Sequence, residues 1–156
     1  MSQSSVEHST FTIEREYPHP PAKVFQGFAD PVKKRRWFAE GEGFIVDSFE
    51  MDFTVGGKET CCFRAQGGPV AGQACRNDTW FLDIVADRRI VTAYNMTLGE
   101  NRISSSLSTV ELVAVGDKTL LKFTEQGAFY EGADGGDIRK QGWEFLLQRL
   151  AQDLGG

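Results

Sequence analysis

The C-terminal stretch from Asp134 to Leu154 constrains this chain more than any other. Trp143, Leu146, Leu147, Leu150 and Leu154 recur at helical spacing and lay one aromatic and four leucines along a single stripe. Arg139, Lys140, Glu144, Gln148 and Arg149 fall mostly off that stripe. A helix with so broad an apolar face must lie on something equally broad. Asp134 or Asp137 is placed to cap its start, and Gly155 and Gly156 end it. Nearly everything upstream reads as strand, so the expected partner is a curved sheet.

The upstream pattern supplies that sheet. Phe11 to Tyr17 alternates as a first strand, which Pro18, Pro20 and Pro21 stop. Val24, Phe25 and Phe28 suit a short helix, and Asp30 with Pro31 opens a second that carries Trp37 and Phe38. Six more strands are predicted over Phe44–Phe49, Gly57–Gln66, Thr79–Ala86, Arg89–Thr97, Arg102–Val115 and Thr119–Gln126. Gly67-Gly68-Pro69, Asp87-Arg88, Leu98-Gly99-Glu100-Asn101 and Gly116-Asp117-Lys118 provide turns between them. The fold class is therefore α+β: a seven-stranded antiparallel sheet, two short helices between its first two strands, and a long closing helix.

Composition sets limits on partners. With 156 residues, 40% of them hydrophobic, the chain can bury roughly 70% of its unfolded surface in one core. Residues 11–156 read as a single domain and residues 1–10, which are polar, as a loose leader. The net charge of -5 disfavours nucleic acid and anionic membranes. The one basic run, Lys33 to Arg36, reads as a solvated helix face. Three cysteines, two of them adjacent, give neither disulfide nor zinc spacing, so a reduced, cytoplasmic protein without metal or cofactor is expected. No apolar run reaches the ~20 residues of a membrane span, so membrane insertion is not expected.

Strand alternation assigns faces. With Asp83 outward, Trp80, Leu82 and Ile84 are expected to face the helix, and Phe81 and Val85 the outside. Ile90, Thr92, Tyr94 and Met96 share the inner face. With Glu111 outward, Ser104, Ser106, Ser108, Val110 and Leu112 point in, and with Lys122 outward so do Leu121, Phe123 and Glu125. An inward carboxylate is costly unless paired, hydrogen-bonded or wet. Either a partner such as backbone amides, Arg64 or Arg139 satisfies Glu125, or it is a polar anchor in a mostly apolar pocket. Trp37, Phe38, Trp80, Tyr94, Phe123, Phe129 and Trp143, with Ser106, Ser108 and Glu125, are the candidate ligand-contacting residues. An apolar outer face, with Leu107, Val113 and Val115, would suit a homodimer.

Several of these segments together resemble a known family. Pro20-Pro21 before Val24-Phe25, Asp30-Pro31 before Trp37-Phe38, and Val55-Gly56-Gly57 are similar to the opening of the AHSA-type branch of the SRPBCC superfamily, named after a heat-shock chaperone ATPase activator. Ile84 with Arg89-Ile90-Val91, Ser108 to Leu112, Thr119 to Gly127, and Gly142-Trp143 through Leu150 resemble its later strands and closing helix. The resemblance runs from about Phe11 to Leu154. It implies the helix-grip fold of START-like proteins, with a cavity between sheet and helix. Relatives include lipid and hormone carriers, polyketide cyclases, ring-hydroxylase subunits and co-chaperone domains. No Rieske cysteine/histidine pairs are present, so iron chemistry is unsupported.

Three readings follow from residues and resemblance together. The first is a carrier for a small apolar or amphipathic molecule, oriented by Glu125, Tyr94 and the inward serines. The second is a cyclase-like or hydrolytic enzyme with Glu125 as acid or base and Tyr94 polarising a carbonyl. Histidine catalysis is improbable, because His8 and His19 lie near the N-terminus. The third is an interaction module of co-chaperone type, although a chaperone partner is not expected.

Overall fold

The computed structural model describes residues 5–41, 43–68 and 71–155. Part of the expected loose leader is strand, because β1 (Glu7–Tyr17) begins at Glu7 and pairs Glu7 to Thr10 with Phe129 to Gln126. Residues 1–4, Pro69 of the expected turn and Gly156 lie outside the described residues. After β1 come α1 (Pro21–Ala29) and α2 (Pro31–Phe38), then β2 (Phe44–Met51), β3 (Lys58–Ala65), β4 (Ala74–Val85), β5 (Arg89–Leu98), β6 (Asn101–Val115) and β7 (Lys118–Phe129). The chain closes with α3 (Gly136–Leu154). All strands join one antiparallel sheet in the order β1-β7-β6-β5-β4-β3-β2.

The helices form because each has a start signal and an apolar face to bury. Pro21 and Pro31 occupy first-turn positions where a missing N–H costs nothing. Asp30 caps α2, its carboxylate accepting from the Val32 and Lys33 amides. α3 is different: its N-cap is Gly135, and neither Asp134 nor Asp137 caps it. The Asp134 carboxylate is turned instead to Arg139. At the other end Gly155 takes the left-handed conformation, with φ 94°, that terminates a helix.

The core lies between the inner sheet face and the three helices. Leu147, Leu150 and Leu154 of α3 pack with Phe25, Phe28 and Trp37 of the short helices and with Ile13, Leu121 and Phe123 of the sheet. Two polar contacts fix this arrangement: Tyr17 donates to the Leu147 carbonyl at 2.9 Å, and Trp37 Nε1 to the Gly27 carbonyl at 2.7 Å. Gly27 permits the close approach of α1 and α3, since a Cβ there would stand 2.8 Å from Leu150 Cδ1.

Strand β4 departs from simple alternation. Phe81 pairs with Thr92 but Asp83 with Val91, so Leu82 is an extra residue in β4 and the facing reverses across it. Asp83 points out and Ile84 in, as expected. Before the bulge, however, Phe81 is the inner residue at 3% exposure, while Trp80 and Leu82 face out at 37% and 49%. β4 also starts at Ala74, ahead of the predicted Thr79, because its polar Arg76-Asn77-Asp78 segment hides the strand signal. A second bulge leaves Ile103 unpaired opposite Met96 and Thr97, which is why Ile103 and Ser104 are both buried.

Candidate functional site

Between the inner sheet face and α2 and α3 lies a cavity of about 300 Å³. Its walls are largely aromatic: Phe28 and Phe38 from the short helices, Phe53 and Phe81, Phe123 from β7, and Trp143 from α3. Trp143 stacks on Phe123 at 4.3 Å between ring centroids and meets Phe38 at 5.9 Å. Ile138 and Phe145 of α3 and Phe44 of β2 also line it while 60%, 54% and 38% exposed, so the cavity opens between the first half of α3 and the β2 edge.

The sheet side carries polar rows formed by strand register. Glu59, Thr79, Tyr94 and Ser106 face one another across β3, β4, β5 and β6. Next to them run Thr92, Ser108 and Glu125, and on the other side Asn77, Met96 and Ser104. Each flank of this floor is tied to a helix by a buried ion pair. On the β3 side Lys34 Nζ of α2 lies 2.9 Å from Glu59 Oε1, with its charge also 4.4 Å from the Phe38 ring. The basic run therefore is not wholly solvated: Lys34 is turned inward. Its position four residues before Phe38 on the same helix was the available signal.

On the β7 side Arg139 closes a four-element network. It donates to both Asp134 oxygens at 2.8 Å, to Ser104 Oγ at 3.0 Å and to Tyr94 OH at 2.9 Å, and lies 3.6 Å from Glu125 Oε2. Arg139 stands four residues before Trp143 and so belongs on the buried stripe, not off it. Tyr94 passes its own proton toward Glu125 at 2.7 Å, and Ser106 and Ser108 donate to the same carboxylate at 3.2 and 3.4 Å. Burial raises the Glu125 pKa above the usual glutamate range, although the three hydroxyls and Arg139 pull it down. Burial also raises Tyr94, reinforced by Glu125. For Arg139 burial opposes the charge, but Tyr94, Asp134 and Glu125 more than offset it and hold the guanidinium protonated.

The sequence-predicted residues separate into groups. Phe38, Tyr94, Ser108, Phe123 and Trp143 line the cavity. Glu125, Ser106 and Phe129 are buried without lining it; Phe129 lies beneath the Arg139 guanidinium at 5.0 Å. Trp37 belongs to the core. Trp80 is on the opposite side of the sheet, with Lys58 5.1 Å above its ring. Missed residues include Lys34, Glu59, Thr79 and Asn77, whereas Arg139 is the partner of Glu125 that the sequence offered beside Arg64. Asn77 lines the cavity, and its buried Oδ1 has no hydrogen-bond partner among the described residues. An acceptor left so costs about 1–3 kcal/mol.

Among the described residues no group of three or more His, Cys, Asp and Glu side chains is placed to hold a metal ion. Burial, helped by Glu59, pushes the Cys61 thiol up to about 12, so it stays protonated and weakly nucleophilic. No helix among the described residues is long and apolar enough to cross a membrane.

The family model described as Activator of Hsp90 ATPase homolog 1-like protein matches residues 18–155. The crystal structure of the Mll3558 protein of Rhizobium loti is 47% identical, covers 96% of this chain and 99% of its own, and superimposes with a TM-score of 0.86. An uncharacterised protein of Rhizobium leguminosarum is 38% identical over 96% of each chain, with a TM-score of 0.88. The AHSA1-like protein of Aeromonas hydrophila, at 17% identity over 94% and 92% of the two chains and a TM-score of 0.69, shares the fold. Among curated proteins none matches. The seven-stranded sheet gripping a C-terminal helix, with the match over residues 18–155, makes this chain a member of the activator of Hsp90 ATPase homolog 1-like family, with its SRPBCC-type helix-grip fold.

Proposed function

We propose that this protein binds a small, mainly apolar molecule in the cavity between sheet and α3. The observation that carries this reading is a space of about 300 Å³ walled by aromatic rings and bordered by Asn77, whose buried Oδ1 has no hydrogen-bond partner among the described residues. A cavity of this size is at the lower end of those that hold small ligands, and a mostly apolar lining with few polar groups is their usual character. Binding is favoured over acid/base catalysis because Glu125 is fully buried and already accepts from Tyr94, Ser106 and Ser108. A proton carrier must reach the reacting atom.

Native mass spectrometry of freshly purified protein, set against its denatured mass, tests the reading. An adduct lost on denaturation is expected for the wild type and not for Thr92→Phe, which places a ring in the cavity. An adduct equal in the two proteins, or none in either, would overturn it.

A further inference from the structure

The charges around the cavity narrow the class of molecule it can take, given that the cavity is a binding site at all. Among the described residues four charged side chains line it, and they form two opposite pairs: Lys34 with Glu59, and Arg139 with Asp134. Glu125 would add a third carboxylate, but it is fully buried and spoken for by three hydroxyls and Arg139. An anionic guest would therefore find no free cation and would have to compete with Glu59 or Asp134 for one. A cationic guest would face the same obstacle with the carboxylates. Either would also lose its own hydration on entering an apolar space.

The polar demand of the site is of a different kind. Asn77 stands on β4 opposite Met96, and its Oδ1 needs a donor. Nearby hydroxyls do not supply one: Tyr94, Ser106 and Ser108 donate to Glu125, and those of Thr79, Thr92 and Ser104 make no hydrogen bond to Asn77 Oδ1. Much of the remaining lining is aromatic, with Thr79, Thr92, Met96 and aliphatic side chains between the rings, and those aromatic faces and edges favour a ring between them.

We infer that the ligand is a neutral aromatic molecule that gives one hydroxyl or N–H hydrogen to Asn77 Oδ1. Three probes of matched shape separate this from the alternatives: β-naphthol, which is neutral and has a donor; its methyl ether, which is neutral and has none; and β-naphthoate, which is anionic. All are bicyclic and small for a cavity of about 300 Å³. Calorimetric titration should show β-naphthol binding about three- to tenfold more tightly than the ether, the span of one net hydrogen bond, and β-naphthoate most weakly. Asn77→Leu should bring naphthol and ether to the same affinity while the ether still binds. Asn77→Ser, whose hydroxyl can accept in turn, should restore part of the preference if the Leu variant is poorly folded. Tightest binding by naphthoate, or a preference for naphthol that survives in both variants, would overturn this inference and leave the pocket reading intact. No binding by any probe would overturn both.

Discussion

Lys34 Nζ and Glu59 Oε1 stand 2.9 Å apart, with the two side chains 10% and 1% exposed, and join α2 to β3 at one flank of the cavity. A buried pair of this kind stabilises little over an apolar replacement, yet breaking it leaves a charge stranded out of water. Lys34→Met alone is expected to cost about 3–5 kcal/mol, because Glu59 loses its partner. The double variant Lys34→Met with Glu59→Leu should recover most of that loss. Urea unfolding of the wild type, both single variants and the double variant measures the coupling. Simple additivity of the two single costs would show that the pair is not coupled.

Glu125 makes stability depend on pH in an unusual direction. Its folded pKa lies above the unfolded value, about 4.3, because burial disfavours the anion. Between the two values the native state holds the extra proton, so its contribution is full below ~4.3 and is lost as pH rises toward the folded pKa. Glu125→Gln removes that slope while keeping an acceptor for Tyr94. The wild-type minus variant stability, from urea midpoints at a series of pH values, should fall across this window and level off above it. A flat difference would mean that the carboxyl titrates as it does in the unfolded chain.

The bulge at Leu82 yields a sharp contrast between neighbours. Phe81 is core, touching the Phe53 ring at 5.0 Å, whereas Trp80 is outside with Lys58 over its ring. Phe81→Ala should cost about 3–5 kcal/mol by opening space in the core. Trp80→Ser should cost about 1 kcal/mol, the scale of an exposed cation–π contact, and should leave any cavity binding unchanged. Thermal unfolding of the two variants distinguishes the phases, and the reverse ranking would place the bulge elsewhere.

That contrast also shows what was legible in the sequence. The fold was, because seven alternating segments, two proline-started helices and a one-sided closing helix admit few arrangements. The facing of β5, β6 and β7 over the cavity was too, since Glu111 and Lys122 mark the outside of strands that alternate through Ser106–Leu112 and Leu121–Phe129. Trp80 was misplaced because Asp83 marks a face only up to the bulge, and a bulge arises from pairing with a second strand that the first does not encode. Lys34 was overlooked, and Arg139 placed off the buried stripe, for a related reason. A charged residue is ordinarily outward, and its burial becomes affordable only when Glu59, Glu125 and Asp134 are brought to it from other parts of the chain. Both nevertheless occupy apolar-face positions, three residues before Trp37 and four before Trp143. In an amphipathic helix, position outranks residue type when the partner exists.

The two ion pairs share an orientation. Lys34 and Arg139 belong to the helix layer, and Glu59 and Glu125 to the sheet. Asp134 offsets part of this at the Arg139 end, so the Lys34 end dominates. The electric field across the cavity thus runs from helices to sheet, through a space of low polarisability where it is poorly screened. A dipolar guest would experience a torque that turns its positive end toward the sheet, which is also where Asn77 waits for a hydrogen.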